Sequence, residues 1–270
     1  MKKFGILLLV SLFFSSCEKT LDFYLGIYEQ PEFTEEGSTE GLNIFGVLRP
    51  DFRGEYNQSF VFVQKLWSAT DWLEGFEILE EAEIVVYTYS HDRIIDTTRF
   101  LLMNPDTHLF SDTLYRPLYQ FAPEPGVKYE LVCSYPGLET ARGYLFFPDK
   151  PVIRENSVSI EGSSVKFTVG SDTLIKMIDI YIDDGVSRMM LDRVLLSDST
   201  DTDITAELPA DPSGFRILIF GYDANLAVYY GNSNTSLNFN KYRTGFTTLE
   251  TGYGVFGALN FTEVILPLAD

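Results

Sequence analysis

Histidine is almost missing from this chain: His91 and His108 are the only two among 270 residues. Both fall in predicted turns, with no His-x-x-x-His pair and no Gly-x-Ser-x-Gly nearby. A zinc centre or a Ser-His-Asp triad therefore has little to be built from. Cysteine is as scarce, at Cys17 and Cys133, with no Cys-x-x-Cys. Neither a Gly-x-x-x-x-Gly-Lys-Ser/Thr loop nor a dinucleotide fingerprint occurs, so no cofactor is expected. Basic residues also run short. Twenty Lys and Arg stand against 39 Asp and Glu, a formal net charge of −19. Such a surface repels nucleic acid and anionic headgroups, which removes both from the expected partners. Only one long apolar run exists, from Phe4 to Phe14, well short of the roughly twenty residues of a membrane-spanning helix. Aromatics are not scarce, at 15%, so the chain has the material for a core and does not read as a disordered acidic segment.

That single apolar run sits between Met1-Lys2-Lys3 and Ser15-Ser16-Cys17. Positive start, apolar middle and small residues before a cut site are the parts of an export signal. Cys17 then reads as a lipid acceptor, with Phe14 where Leu or Val is more usual. The alternative is an ordinary cleaved signal with an incidental cysteine. Residues 1–16 are expected to be a lipoprotein signal peptide. Residues 17–41, rich in acid and small polar side chains, are expected to be the lipid-anchored tether. Attachment by more than one acyl chain is stable, since each buried CH₂ contributes about 0.8 kcal/mol. Loss of Lys2 and Lys3 takes the formal charge from −19 to −21. Cys133 remains, on one face with Tyr129, Leu131 and Tyr135, and reads as a buried structural thiol.

From residue 42 the chain becomes short runs of β-formers between turn signals. Strands are expected at 42–48, 59–67, 82–90, 96–103, 114–122, 128–135 and 141–148. A joint follows at 149–153, then strands at 157–169, 174–183, 187–196, 203–208, 215–222, 225–230 and 253–266. Alternation is visible in Ile84 and Val86 against Tyr87 and Tyr89. The run Phe215–Tyr222 is apolar on both faces and is expected to be central. Strands of this length need a second sheet to cover their apolar side. The fold expected is all-β: two antiparallel sandwich domains of immunoglobulin or fibronectin type, at 42–149 and 150–270. Residues 68–81 form a longer connection, and 231–246 an Asn-rich insertion long enough to have a function or simply to move.

Four segments resemble a known family. They are Leu42-Asn-Ile-Phe-Gly-Val-Leu-Arg-Pro-Asp51, Phe121-Ala-Pro-Glu-Pro-Gly-Val-Lys-Tyr-Glu-Leu131, Phe147-Pro-Asp-Lys-Pro-Val-Ile153 and Thr251-Gly-Tyr-Gly-Val-Phe-Gly-Ala258. Together with Ser-Ser-Cys17-Glu-Lys they resemble the Bacteroidetes lipoproteins grouped as domain of unknown function 4249. Thr247-Thr248 departs from the Ser-Asn usual before the last element. The resemblance implies two β domains lipid-anchored at the outer membrane, on its periplasmic or cell-surface face. It implies a TonB-dependent transporter as a partner and carries no catalytic residue.

Candidate contacts come from aromatics in loops, whose flat faces give binding area at small entropy cost: Trp67, Trp72 and Phe76 in one, Tyr230, Phe239 and Tyr242 in the other. A strand-end Trp also serves as a core cap, so each loop carries both readings. Asp198, Asp201 and Asp203 offer oxygens at near-alternating spacing for calcium, or form a solvated acidic turn. Asp179, Asp183 and Asp184 could pair as glycosidase acids, as chance pairs in any acidic chain could. Three functions follow. The first is a non-enzymatic accessory or binding component of an envelope transport complex. The second is a module that binds a glycan or peptide directly. The third is a carboxylate-based hydrolase.

Overall fold

Period-two alternation decides which residues of each strand meet the core, and the computed structural model shows what each face meets. It describes residues 40–50, 59–66, 77–103, 114–162, 164–183, 188–196, 201–207, 215–230 and 247–265. These are nearly all strand. In the first half they are β1 (Gly41–Leu48), β2 (Phe60–Leu66), β3 (Glu77–Ile78), β4 (Glu83–Ser90), β5 (Arg93–Met103), β6 (Leu114–Pro117), β7 (Lys128–Ser134) and β8 (Ala141–Phe146). The second half contributes β9 (Val152–Ile153), β10 (Ser159–Glu161), β11 (Ser164–Gly170), β12 (Met177–Asp183), β13 (Arg188–Leu195), β14 (Asp201–Glu207), β15 (Arg216–Tyr222) and β16 (Tyr253–Ile265). One helix, α1 (Ala224–Tyr230), follows β15.

The first core lies between the two ends of one folded sheet, whose order runs β16-β1-β2-β6-β5-β4-β7-β8. Leu42, Ile44 and Leu48 of β1, Val61 and Val63 of β2 and Phe256 of β16 face Ile84, Val86, Leu131, Cys133 and Leu145. The far end meets the near one at an isolated bridge, Arg142 to Thr251, where the Thr251 hydroxyl also donates to the Thr140 carbonyl. The second core lies between β13-β12-β15-β16 and the smaller sheet β10-β11-β14, in which β9 pairs with β11. Ile178, Ile180, Ile182, Ile217 and Ile219 face Val165, Phe167, Val169 and Ile204 across it. β15 stands between β12 and β16, as its two apolar faces require.

The C-terminal strand does not keep to one side of the expected joint. Residues 259–265 pair antiparallel with β15, whereas 253–258 pair parallel with β1. The boundaries 42–149 and 150–270 therefore follow chain order, while packing assigns Leu249, Phe256 and Ala258 to the first core. Parallel pairing requires both faces of β1 and β16 to be covered, and both are. Phe45, Val47, Val255 and Leu259 point away from the first core into a third cluster with Phe62, Met177, Tyr222 and α1. Asn260 Nδ2 donates to the Pro148 carbonyl at 3.1 Å, and the Thr262 hydroxyl donates to that of Pro151. Both bonds fasten the joint onto β16. Gly254 permits the β1 pairing: its φ is +97°, and a Cβ there would collide with the Ile44 carbonyl oxygen.

Residues 225–230 are helical, contrary to the strand expected from Leu-Ala-Val-Tyr-Tyr. Asp223 caps the helix, its Oδ1 accepting from Leu226 N at 2.9 Å, which offsets one unpaired donor of the first turn. Leu226, Ala227, Tyr229 and Tyr230 then fall at helical spacing and are buried. The third cluster they enter needs a helical stripe rather than a strand. The expected strand 157–169 divides into β10 and β11 around Gly162, at φ +63°.

Candidate functional site

The face of β12, β15 and β16 that turns away from the second core is neither apolar nor plainly polar. Register places its side chains in rows. Asp183 lies opposite Arg216, Tyr181 opposite Leu218, and Asp179 opposite Phe220. On the other side of β15, Leu218 lies opposite Glu263, Phe220 opposite Phe261, and Tyr222 opposite Leu259. All of these except Asp179 line a cavity of about 340 Å³, which Arg188 of β13 and Arg49 complete.

Aromatic rings occupy the middle. Tyr181 meets Phe220 edge-on at 5.5 Å between centroids, and Phe220 stacks on Phe261 at 5.8 Å. The Arg188 guanidinium lies 5.8 Å from the centroid of Phe220. At one end the charges are paired. Asp183 accepts from Arg188 and Arg216 at 3.2 Å each, and Arg216 also reaches Glu263 at 3.2 Å. Hydrogen bonds to Glu263 and the charge of Asp183 raise the Arg216 pKa.

On the same sheet face Asp179 is buried and held in a two-pronged pair by Arg193, Nε to Oδ1 at 2.6 Å and the second nitrogen to Oδ2 at 2.7 Å. The Tyr222 hydroxyl donates to the same carboxylate at 3.1 Å. Burial, and then the Asp179 charge, push the Tyr222 and Tyr181 phenols above their ordinary pKa. This bracket ties β13, β12 and β15 together on the face of the cavity.

Arg49 closes the other end. It follows β1, and its backbone is fixed by Ser59: Arg49 N donates to Ser59 Oγ at 3.0 Å, and that hydroxyl donates to the Arg49 carbonyl. The guanidinium lies 5.2 Å from the centroid of Phe60. Its Nε is buried with no hydrogen-bond partner, and no carboxylate among the described residues pairs with it. Burial lowers its pKa, Tyr222 opposes that shift, and the nearby Arg116 charge adds to it. The cavity wall thus carries three guanidinium groups against the two carboxylates of Asp183 and Glu263, a surplus of one positive charge on a chain of −19.

Cys17, Trp67, Trp72, Phe76, Phe239, Tyr242, Asp198 and Asp184 fall outside the described residues. Tyr230 is described, and it is no surface contact. It is 2% exposed, packed edge-on against Tyr229 at 5.0 Å inside the third cluster. Asp201 and Asp203 stand on β14 rather than in a turn. Asp201 accepts from Arg154 at 2.5 Å and Asp203 from the Thr168 hydroxyl at 2.7 Å. Among the described residues no group of three or more His, Cys, Asp or Glu converges as a metal site. Asp179 and Asp183 share a face, but arginines hold both. Cys133 is fully buried, and burial pushes its thiol up to about 12. The strand arginines and aromatics of the cavity were passed over because each sits singly in an apolar run. The available signal was that Tyr181, Asp183, Phe220 and Tyr222 fall on the alternate positions of strands whose other face is isoleucine.

A second hollow, of about 530 Å³, lies on the first half between β5 and residues 118–124, with Tyr119 exposed at its rim.

No protein-family model matches the chain, and no curated protein matches it in sequence. Among solved structures, the chicken interferon gamma receptor alpha chain is similar at 10% identity and a TM-score of 0.24. That match covers 61% of this chain and 84% of the receptor chain. Escherichia coli alpha-2-macroglobulin activated by porcine elastase is similar at 13% identity and 0.24, covering 86% of this chain and 20% of that one. The trypsin-activated form from the same organism gives 14% and 0.25, over 88% and 16%. At TM-scores this low none of them carries an argument about this chain.

Proposed function

We propose that this chain is a non-enzymatic lipoprotein of the outer membrane, attached through lipid on Cys17, and that it serves as the binding component of an envelope transport complex. The binding face is the arginine-rimmed aromatic hollow across β12, β15 and β16. One observation carries the reading. Tyr181, Phe220 and Phe261 are only partly buried and line a cavity on the outer side of a sheet whose inner side already has its core. Partly exposed rings beside guanidinium groups are the composition of a binding surface rather than of a plain solvent face. The membrane address rests on the export signal and Cys17, and the transport role on the kind of lipoprotein the sequence resembles.

Affinity pull-down of the tagged full chain from gently solubilised outer membrane tests the role. Stoichiometric recovery of a TonB-dependent transporter supports it. A solitary lipoprotein counts against it and leaves a module that binds its ligand unaided.

A further inference from the structure

We propose that Arg49 is the anion-reading residue of the hollow, and that the ligand is a small monocarboxylate with a flat apolar body. The inference rests on the binding-face reading above and names its ligand chemistry.

Two features set Arg49 apart from the other arginines of the cavity. Arg188 and Arg216 already have carboxylate partners in Asp183 and Glu263. Arg49 has none among the described residues, and its Nε is buried. Leaving a desolvated cation without a counter-charge is costly. In a chain with 39 acidic residues to choose from, a structural guanidinium would be expected to have one of them. Arg49 instead lines open space.

Charge balance selects the kind of anion. With a surplus of one positive charge in the wall, a single negative charge neutralises the site, whereas a dianion would leave excess negative charge on an already acidic protein. The planar fork of a guanidinium matches a carboxylate. The rest of the ligand then lies against Phe220, Phe261, Leu218 and Leu259, where a flat apolar body gains most. A cavity of about 340 Å³ is of the size that takes small molecules.

The test is calorimetric titration of the purified full chain with 2-naphthoate and with 2-naphthamide, which has the same shape and no charge. The proposal predicts that naphthoate binds roughly tenfold or more tightly than the amide, the worth of one charge-assisted hydrogen bond. That preference vanishes in Arg49→Met, whose melting temperature is unchanged or higher because an unpaired buried cation has been removed. Arg49→Lys keeps the charge and loses the fork, so it binds naphthoate several-fold more weakly; unchanged affinity in Arg49→Lys would contradict the fork. Equal binding of both probes, unaffected at position 49, overturns the proposal while leaving the binding face in place. Binding of neither overturns it, and native mass spectrometry of the full chain then decides whether the face binds anything.

Discussion

Arg193 holds Asp179 by two hydrogen bonds of 2.6 and 2.7 Å on the sheet face that carries the aromatic hollow. Asp179 is 1% exposed at its side chain and Arg193 10%, so removing one partner strands a buried charge. Arg193→Ala should therefore lower unfolding stability by about 3–5 kcal/mol. The double replacement Asp179→Leu with Arg193→Met should cost far less, because two buried apolar side chains need no counter-charge. Urea denaturation of the three proteins checks this. Equal losses in the single and double variants would show that the pair contributes net stability.

Asp223 gives stability a pH dependence. Burial raises its pKa to about 7 from an ordinary 3.8, against the opposing hydrogen bond from Leu226. A carboxyl whose folded pKa is raised favours the folded state in its protonated form. Its contribution is complete below about pH 4 and is lost as pH rises through about 7. At about 1.4 kcal/mol per pH unit of separation the swing is on the order of a few kcal/mol. Asp223→Asn keeps an oxygen to cap α1 and carries no charge. Its melting temperature should exceed the wild type's at pH 8, with a flatter profile between pH 4 and 7. Identical profiles would contradict the assignment.

Gly254 joins the two halves through backbone geometry alone. At φ +97°, with the Ile44 carbonyl against the missing Cβ, Gly254→Ala should cost on the order of 3 kcal/mol and loosen the parallel β1–β16 pairing. Amide hydrogen exchange at residues 43–48 reports it. Faster exchange there, with β12 unchanged, is the expected pattern.

Cys133 should be inert. Its burial and its thiol pushed up to about 12 leave almost no thiolate at pH 8. If Cys17 carries lipid as proposed, iodoacetamide should label no thiol in the folded chain and one after denaturation. Labelling at Cys133 in the folded chain would contradict its inertness, and labelling at Cys17 would contradict the lipid.

Much of the fold was legible because burial follows period two. The Ile84 and Val86 alternation, the Tyr129, Leu131 and Cys133 face, and the doubly apolar Phe215–Tyr222 run each marked a strand in its observed place. Gly126, in the Pro-Gly turn ahead of β7, sits at φ +75°, a conformation that glycine adopts without strain. α1 was misread because Val-Tyr-Tyr favours strands locally, while a cap at Asp223 and a helical stripe entering the third cluster decide otherwise. The signal for it was an Asp three residues before Leu226. The parallel match of β1 to β16 lies some two hundred residues apart in sequence, and no local pattern encodes such a register. The hollow was hidden for the same reason. Arg49, Tyr181, Phe220 and Phe261 come from four separated strand regions, and only the sheet order brings them together. Loop aromatics attracted the sequence reading because they are dense in sequence, whereas this site is dense only in space.

If the hollow across β12, β15 and β16 is a binding face, it holds a ligand on the native chain. Native mass spectrometry of the full chain, released from its own membrane, tests it most directly. The account predicts a bound small molecule on the wild-type chain that is absent from a folded Phe261→Ala variant. A ligand-free wild-type chain, or a molecule retained equally by the variant, would contradict it.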